Sequence, residues 1–234
     1  ILPDHKFEGA WLPHDTYQHW LYALLSSAIF TVLILFIFPH ATDSIGKMIG
    51  VGLFTATIGI MLLLAFQWVA EFTQPYWMSG GSILVVLFYI VKFIGFSYRA
   101  ALNPQNGFIF SALGFTFGVG LCEEICKAAP VLLHYQTRGT WPWRKACLVG
   151  LISGIGFGVS EGITYSSDFY NGVVDGRMYL GRFTSCVALH AVWAGSAAIF
   201  IYRHRDLLQR STNLWGTLAT WIMMVSAPMV LHGM

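Results

Sequence analysis

Six ionisable side chains in the second half of this sequence have types and spacings suited to chemistry. Glu123 and Glu124 are adjacent in Gly120-Leu-Cys-Glu-Glu-Ile-Cys-Lys127, and Glu161 closes the stretch Ser153-Gly-Ile-Gly-Phe-Gly-Val-Ser-Glu161-Gly162. His190 lies in Cys186-Val-Ala-Leu-His190-Ala-Val-Trp193, and His232 in Val230-Leu-His232-Gly233. Neighbouring carboxylates can share and transfer a proton, while imidazoles donate hydrogen bonds or ligate a metal. On a helix Glu123 and Lys127 share a face at i and i+4 and are expected to pair, leaving Glu124 about 100° round the axis. Taken singly, each has a structural reading: a neutralised Glu-Lys pair, or a histidine bonding one helix to the next. Taken together, they are the set expected of a polar site.

The elements that must position these groups follow from composition. Of 234 residues, 56% are hydrophobic and 10% charged, against roughly 25% charged in a typical soluble domain. Mean hydropathy is +0.63, which excludes a disordered chain. A net charge of +2 offers no concentrated basic face, so no nucleic-acid partner is expected. So few charges would not cover a soluble globule of this size, and an integral membrane protein follows. Its solvent is the lipid bilayer.

Because roughly 20 apolar residues cross a bilayer core, seven spans are expected: Trp20 to Phe38, Ile49 to Ala70, Ser82 to Tyr98, Phe108 to Leu133, Ala146 to Ser166, Arg182 to Tyr202, and Leu214 to the end. These runs are too long and too uniformly apolar for barrel strands. The fold class is therefore all-α, a polytopic transmembrane helical bundle with a polar site between its last four helices. Residues 1–19 are read as an interfacial segment with Trp11, Tyr17 and Trp20 at the headgroups, residues 20–98 as three accessory helices, and residues 99–234 as a four-helix catalytic core. Thr137 to Lys145 and Ser167 to Gly181 read as loops. The chain starts at Ile and stops just after His232-Gly-Met, so it is expected to be missing one or both ends, and the core to be truncated at its C-terminus.

A buried ionisable group costs about 2.5–3.5 kcal/mol at the centre of a span, which is why the six stand out. Counted at 1.5 Å per residue from the Thr137 side, Glu123 lies about 15 Å deep, His190 about 18 Å, Glu161 about 22 Å and His232 about 27 Å. His232 reaches the others if its helix is broken, tilted or begins earlier, and Pro228 and Gly233 suggest a break. Lys92, alone in its span, is expected to snorkel or to pair with Glu71. The four cysteines fall inside spans and suggest no disulfide framework. Cys122 and Cys126, at i and i+4, can hold a metal as thiolates but read more simply as small buried residues. Alternating loops carry Lys6, Arg138, Arg144, Lys145, Arg203, Arg205 and Arg210 on one side and Lys47, Arg99, Arg177 and Arg182 on the other. The excess places the N-terminus in the cytoplasm of a multi-pass protein of the cell membrane.

Glu123-Glu124-x-x-Lys127, Gly156-Phe157-x-x-x-Glu161, Leu189-His190-Ala-x-Trp193 and Leu231-His232-Gly233 together resemble the four ordered motifs of the PrsW family of intramembrane proteases, related to the CAAX prenyl protease and bacteriocin-processing clan. The resemblance spans Phe108 to Met234. It departs at Gly162, where the family commonly has Asn, and after Gly233, where a Tyr-Asp is common. It implies a peptidase acting on membrane-protein or membrane-tethered substrates, with anti-sigma-factor release as the family's known role. No Gly-x-Ser-x-Gly, His-Glu-x-x-His or intramembrane Asp pair is present. The catalytic set is then Glu123, Glu124, Glu161, His190 and His232, with Glu123 as general base, Glu124 sharing or orienting the proton, and Lys127 as counter-ion. Glu161, His190 and His232 form a two-His, one-carboxylate set suited to zinc, although the same residues can work without metal. A proton- or ion-coupled transporter or channel, and a non-catalytic scaffold of the same fold, are the rival readings.

Overall fold

A computed structural model describes residues 16–39, 44–103, 105–165 and 176–233. Among the described residues seven helices are long and apolar enough to cross a membrane. We number them α1 (Thr16–Ile37), α2 (Ile45–Phe72), α3 (Ile83–Leu102), α4 (Phe108–Gln136), α5 (Trp143–Tyr165), α6 (Arg182–Arg203) and, after the short α7 (Arg205–Arg210), α8 (Leu214–Gly233). Among the described residues all regular structure is helical, as lipid requires, since a helix satisfies its backbone groups internally. Residues 1–15, most of the expected interfacial segment, and residues 166–175 of the second expected loop lie outside the described residues. Gly176–Gly181, also expected as loop, is helical and continues into α6. Trp143, Arg144 and Lys145, placed in the first loop by the sequence, already belong to α5.

The bundle is organised around α5. Of its membrane window 83% is buried, against 11% for α1, because glycines let neighbouring backbones close on it. A Cβ on Gly150, Gly154 or Gly158 would strike Ala194, His190 or Val187 of α6, and one on Gly156 would strike the Gly52 carbonyl of α2. This is the small-residue packing that replaces a hydrophobic driving force between helices in lipid. On its other flank α1 closes the site region: Ser26 Oγ donates to the Phe183 carbonyl at 2.9 Å, and Tyr22 stacks on Phe183. The first two helices thus pack directly on the central one. Helix α3 lies further out, with Gly114 and Gly118 of α4 against its backbone at Ser97–Ala101. Outward-facing Phe36, Leu62, Phe96 and Phe108 are exposed and suit lipid contact.

Among the described residues three spans contain a widened, π-helical turn: Thr55–Gly59 in α2, Phe115–Gly120 in α4 and Arg182–Cys186 in α6. Such turns occur disproportionately at functional sites. The expected break in the last span does not occur, for Pro228 stands inside a continuous helix. The depths reconcile differently, because α4 and α5 extend further toward the Thr137 side than the hydropathy window indicated. Counted from the observed ends, Glu123 and His190 lie about 20 Å in and Glu161 and His232 about 27 Å. Of the two expectations for Lys92, the pairing with Glu71 is not met. It reaches the carbonyls at the end of α2, with Nζ 2.7 Å from Gln74 O and 2.5 Å from Tyr76 O, and lies 4.2 Å over the Trp77 ring. Glu71 pairs instead with Arg99 at 3.7 Å. A cation at a helix C-terminus complements its unpaired carbonyls.

The close approach at α5 predicts a contrast between two glycines. Gly154→Ala should destabilise the protein by about 1–3 kcal/mol, the scale of overpacking, because its Cβ has nowhere to go. Gly50→Ala, with nothing within 4 Å of the added carbon, should be neutral or slightly stabilising. Thermal unfolding in detergent micelles checks both, and equal melting of the two variants would refute the packing role.

Candidate active site

The six residues singled out in the sequence converge. Helix α4 supplies Glu123, Glu124 and Lys127, α5 supplies Glu161, α6 supplies His190 and α8 supplies His232. At Gly120, α4 has no side chain to hold off α8: a Cβ there would lie 2.8 Å from the Met229 carbonyl and 3.2 Å from His232 Cβ. That contact seats His232 against the glutamates one turn along.

Lys127 stands at the centre, fully buried. Its Nζ lies 2.6 Å from Glu124 Oε1, 3.6 Å from Glu123 Oε2 and 2.7 Å from His190 Nδ1. The close partner is therefore Glu124 at i and i+3 rather than the expected Glu123. Phe157 and Trp193 face the ammonium at 4.6 and 5.9 Å, adding cation–π contact where water is scarce. Ser153 Oγ donates to the Lys127 carbonyl at 2.7 Å and is itself joined to Thr55 Oγ1 at 2.8 Å. The widened turn of α2 is thereby tied through α5 to the residue that holds the cluster.

The hydrogen-bond roles of the two imidazoles follow from their neighbours. An ammonium can only donate, so His190 Nδ1 accepts from Lys127 and Nε2 carries the hydrogen. That nitrogen lies 2.5 Å from Glu161 Oε2, while Glu161 Oε1 takes Arg182 Nη2 at 3.3 Å. His232 Nδ1 lies 3.2 Å from Glu124 Oε1 and Nε2 lies 3.4 Å from Glu123 Oε2. If Nδ1–H donates to Glu124, the Nε2 lone pair faces a carboxylate, a pairing that only a proton or a cation makes favourable.

Two groups among the described residues bring three possible metal ligands within 4.8 Å of one another: Glu123, His190 and His232, and Glu161, Cys186 and His190. The expected trio of Glu161, His190 and His232 is thus brought together pairwise through His190 but not as one such group. Donor chemistry fits a divalent cation. Two imidazoles lie beside carboxylates, and the buried Oε2 atoms of Glu123 and Glu124 have no hydrogen-bond partner among the described residues, a costly arrangement unless a positive group or a donor answers them. Cys122 and Cys126 belong to neither group.

The model of the PrsW family of intramembrane metalloproteases matches residues 51–234. This chain belongs to that family. The match starts inside α2, so the PrsW sequence pattern takes in α2 and α3 as well as the four helices that carry the motifs. No curated protein and no solved structure matches the chain. As a PrsW member the protein is an intramembrane protease of a family named for metal dependence. Its seven apolar helices make it a multi-pass membrane protein.

Sequence reasoning missed several neighbours of the site. Arg182 was counted as a loop charge, yet the widened turn that begins with it directs its guanidinium to Glu161. Trp193 lies 5.2 Å from the His232 ring and 5.7 Å from the His190 ring, closing one side of the site. Cys186 precedes His190 by one helical turn, and that spacing is the signal in the sequence that marks it.

The central ammonium yields a sharp expectation. Lys127→Met leaves Glu124 buried without its counter-charge and should cost about 3–5 kcal/mol, as breaking a buried pair does. Adding Glu124→Gln to that variant should recover much of the loss. Denaturation of the three proteins in detergent reads both effects, and a Lys127→Met protein as stable as wild type would remove the pairing from its structural role.

Proposed function

We propose that this PrsW member is an endopeptidase that hydrolyses peptide bonds in membrane-embedded or membrane-tethered substrates, anti-sigma-factor-like by family resemblance. The observation that carries this reading is a buried cluster of carboxylates and imidazoles, contributed by four helices, in which Glu123 Oε2 and His232 Nε2 face each other at 3.4 Å. Peptide hydrolysis needs a proton acceptor for the attacking water, stabilisation of the oxyanion and a proton for the leaving amine. Glu123 is the acceptor: its Oε2 has no hydrogen-bond partner, and it can return the proton to the amine. Glu124 Oε1 holds the His232 ring through Nδ1, and Lys127 offsets the charge of the pair. Glu161 orients His190 from the other side.

A divalent ion, zinc by the type of donor, would be held by His190, His232 and Glu161 and would supply Lewis-acid polarisation of the scissile carbonyl and an acidified water. Glu123, within 4.8 Å of both imidazoles, is the adjacent base. Since Glu123 also belongs to a possible ligand group, its role and that of Glu161 are separable by experiment. Glu123→Gln should retain bound metal and lose at least about 100-fold in cleavage, whereas Glu161→Gln should lose metal. Elemental analysis of the purified variants beside a transmembrane-peptide cleavage assay reads both, and the opposite stoichiometry would exchange the two roles. Glu124→Ala and His190→Ala should abolish cleavage while leaving membrane insertion intact.

The basic loops favour a cell-membrane protein with a cytoplasmic N-terminus. The cluster then lies about 20–27 Å along its helices from their cytoplasmic ends, at or beyond the midpoint of a core about 30 Å thick. Cleavage is expected near the outer end of a substrate helix. Mass spectrometry of the products locates the bond, and a cut at the cytoplasmic end would invert the proposed orientation or depth.

A further inference from the structure

We propose a second, inhibitory cation site formed by Cys186, His190 and Glu161, selective for thiophilic divalent cations. Cys186 and His190 stand one turn apart on α6, four residues being the spacing at which helical side chains share a face. Glu161 approaches from α5, and one ligand atom from each of the three lies within 4.8 Å of the others. Ligand atoms around a tetrahedral zinc lie about 3.5 Å apart, from bond lengths of about 2.0–2.3 Å. The widened turn Arg182–Cys186 ends on the cysteine itself, immediately before the regular helix that carries His190.

The catalytic reading gives Cys186 no task, and its thiol is free and half-buried. A thiolate, an imidazole and a carboxylate form a softer donor set than the imidazoles and carboxylates of the catalytic cluster, and they favour soft cations accordingly. On binding, the sulfur–metal bond replaces the S–H bond, and the thiol and His190 Nε2 each release a proton to solvent. Lys127 passes one of its own protons to His190 Nδ1, so that the imidazole stays neutral while its Nε2 lone pair takes the cation. Occupancy also draws on His190 and Glu161. A cation there withdraws both residues from the catalytic cluster, so binding at Cys186 inhibits cleavage. The inhibition rests on the proteolytic reading above, whereas the binding does not.

Full-length protein in detergent, titrated with cadmium, separates the two. Wild type should develop a thiolate-to-cadmium charge-transfer absorption larger than that of Cys186→Ser and Cys186→Ala by the contribution of one thiolate, any part common to all three belonging to the other cysteines, and cadmium should inhibit its cleavage. Both variants should keep basal cleavage, which also certifies their fold, and should need at least tenfold more cadmium for the same inhibition. An unchanged absorption in the variants, or equal sensitivity of their cleavage to cadmium, overturns the site. If the preparation cleaves no peptide at all, the absorption difference between wild type and Cys186→Ser still decides the binding.

Discussion

Everything in the polar centre depends on one buried ammonium. Lipid offers no water to solvate Glu123 and Glu124, and adjacent carboxylates in a low-dielectric setting repel each other unless a cation is shared between them. Lys127 supplies that cation from the same helix, and the i+3 and i+4 spacings let it reach both. Its third contact, with His190, carries the constraint to α6, and Glu161 and Arg182 extend it to α5 and to the start of α6. The site is thus a chain of alternating charge and imidazole, each member placed by the one before it.

Such a chain is possible only if the helices approach closely, and small residues decide where they do. Gly154 and Gly158 set α6 against α5 at the level of His190, while Gly120 sets α8 against α4 at the level of His232. Bulk in this bundle is concentrated elsewhere, in Phe157 and Trp193 beside the ammonium and in the lipid-facing side chains of α1 to α4. Polar chemistry and glycine packing occupy the same stretches because the first requires the second. A glutamate at Glu161 would be stranded if α6 stood a methyl group further off.

Much of this was legible in the sequence, for physical reasons. Hydropathy exposed the spans because lipid tolerates no long polar interruption, and insertion cost made the few intramembrane charges conspicuous. What hydropathy cannot resolve is rotation about a helix axis. Lys127 lies within reach of both glutamates, and its choice of Glu124 depends on local rotamers that spacing does not specify. The pairing assigned to Lys92 failed for a related reason: it answers backbone carbonyls, which no side-chain pattern reveals. The depth of His232 misled because helices α4 and α5 run past the apolar window into residues such as Gln136 and Trp143. Arg182 was hidden by its position at a span boundary, where a basic residue ordinarily reports topology.

The widened turns in α2, α4 and α6 carry a consequence for how such a sequence can change. Each accommodates more residues per turn than an α-helix does, so everything beyond it is set at an angle that ordinary helical winding would not produce. Loss of a single residue from Phe115–Gly120 would let α4 return to regular winding, and the two changes nearly cancel: one residue fewer takes away about 100° of rotation, and the tighter winding restores a similar amount. Substitutions in that segment alter one side chain, and a deletion there leaves Glu123, Glu124 and Lys127 facing as before. The widened turns are therefore where the catalytic half of the protein can absorb the loss of a residue, whereas a deletion in a stretch of regular winding turns everything beyond it by about 100°.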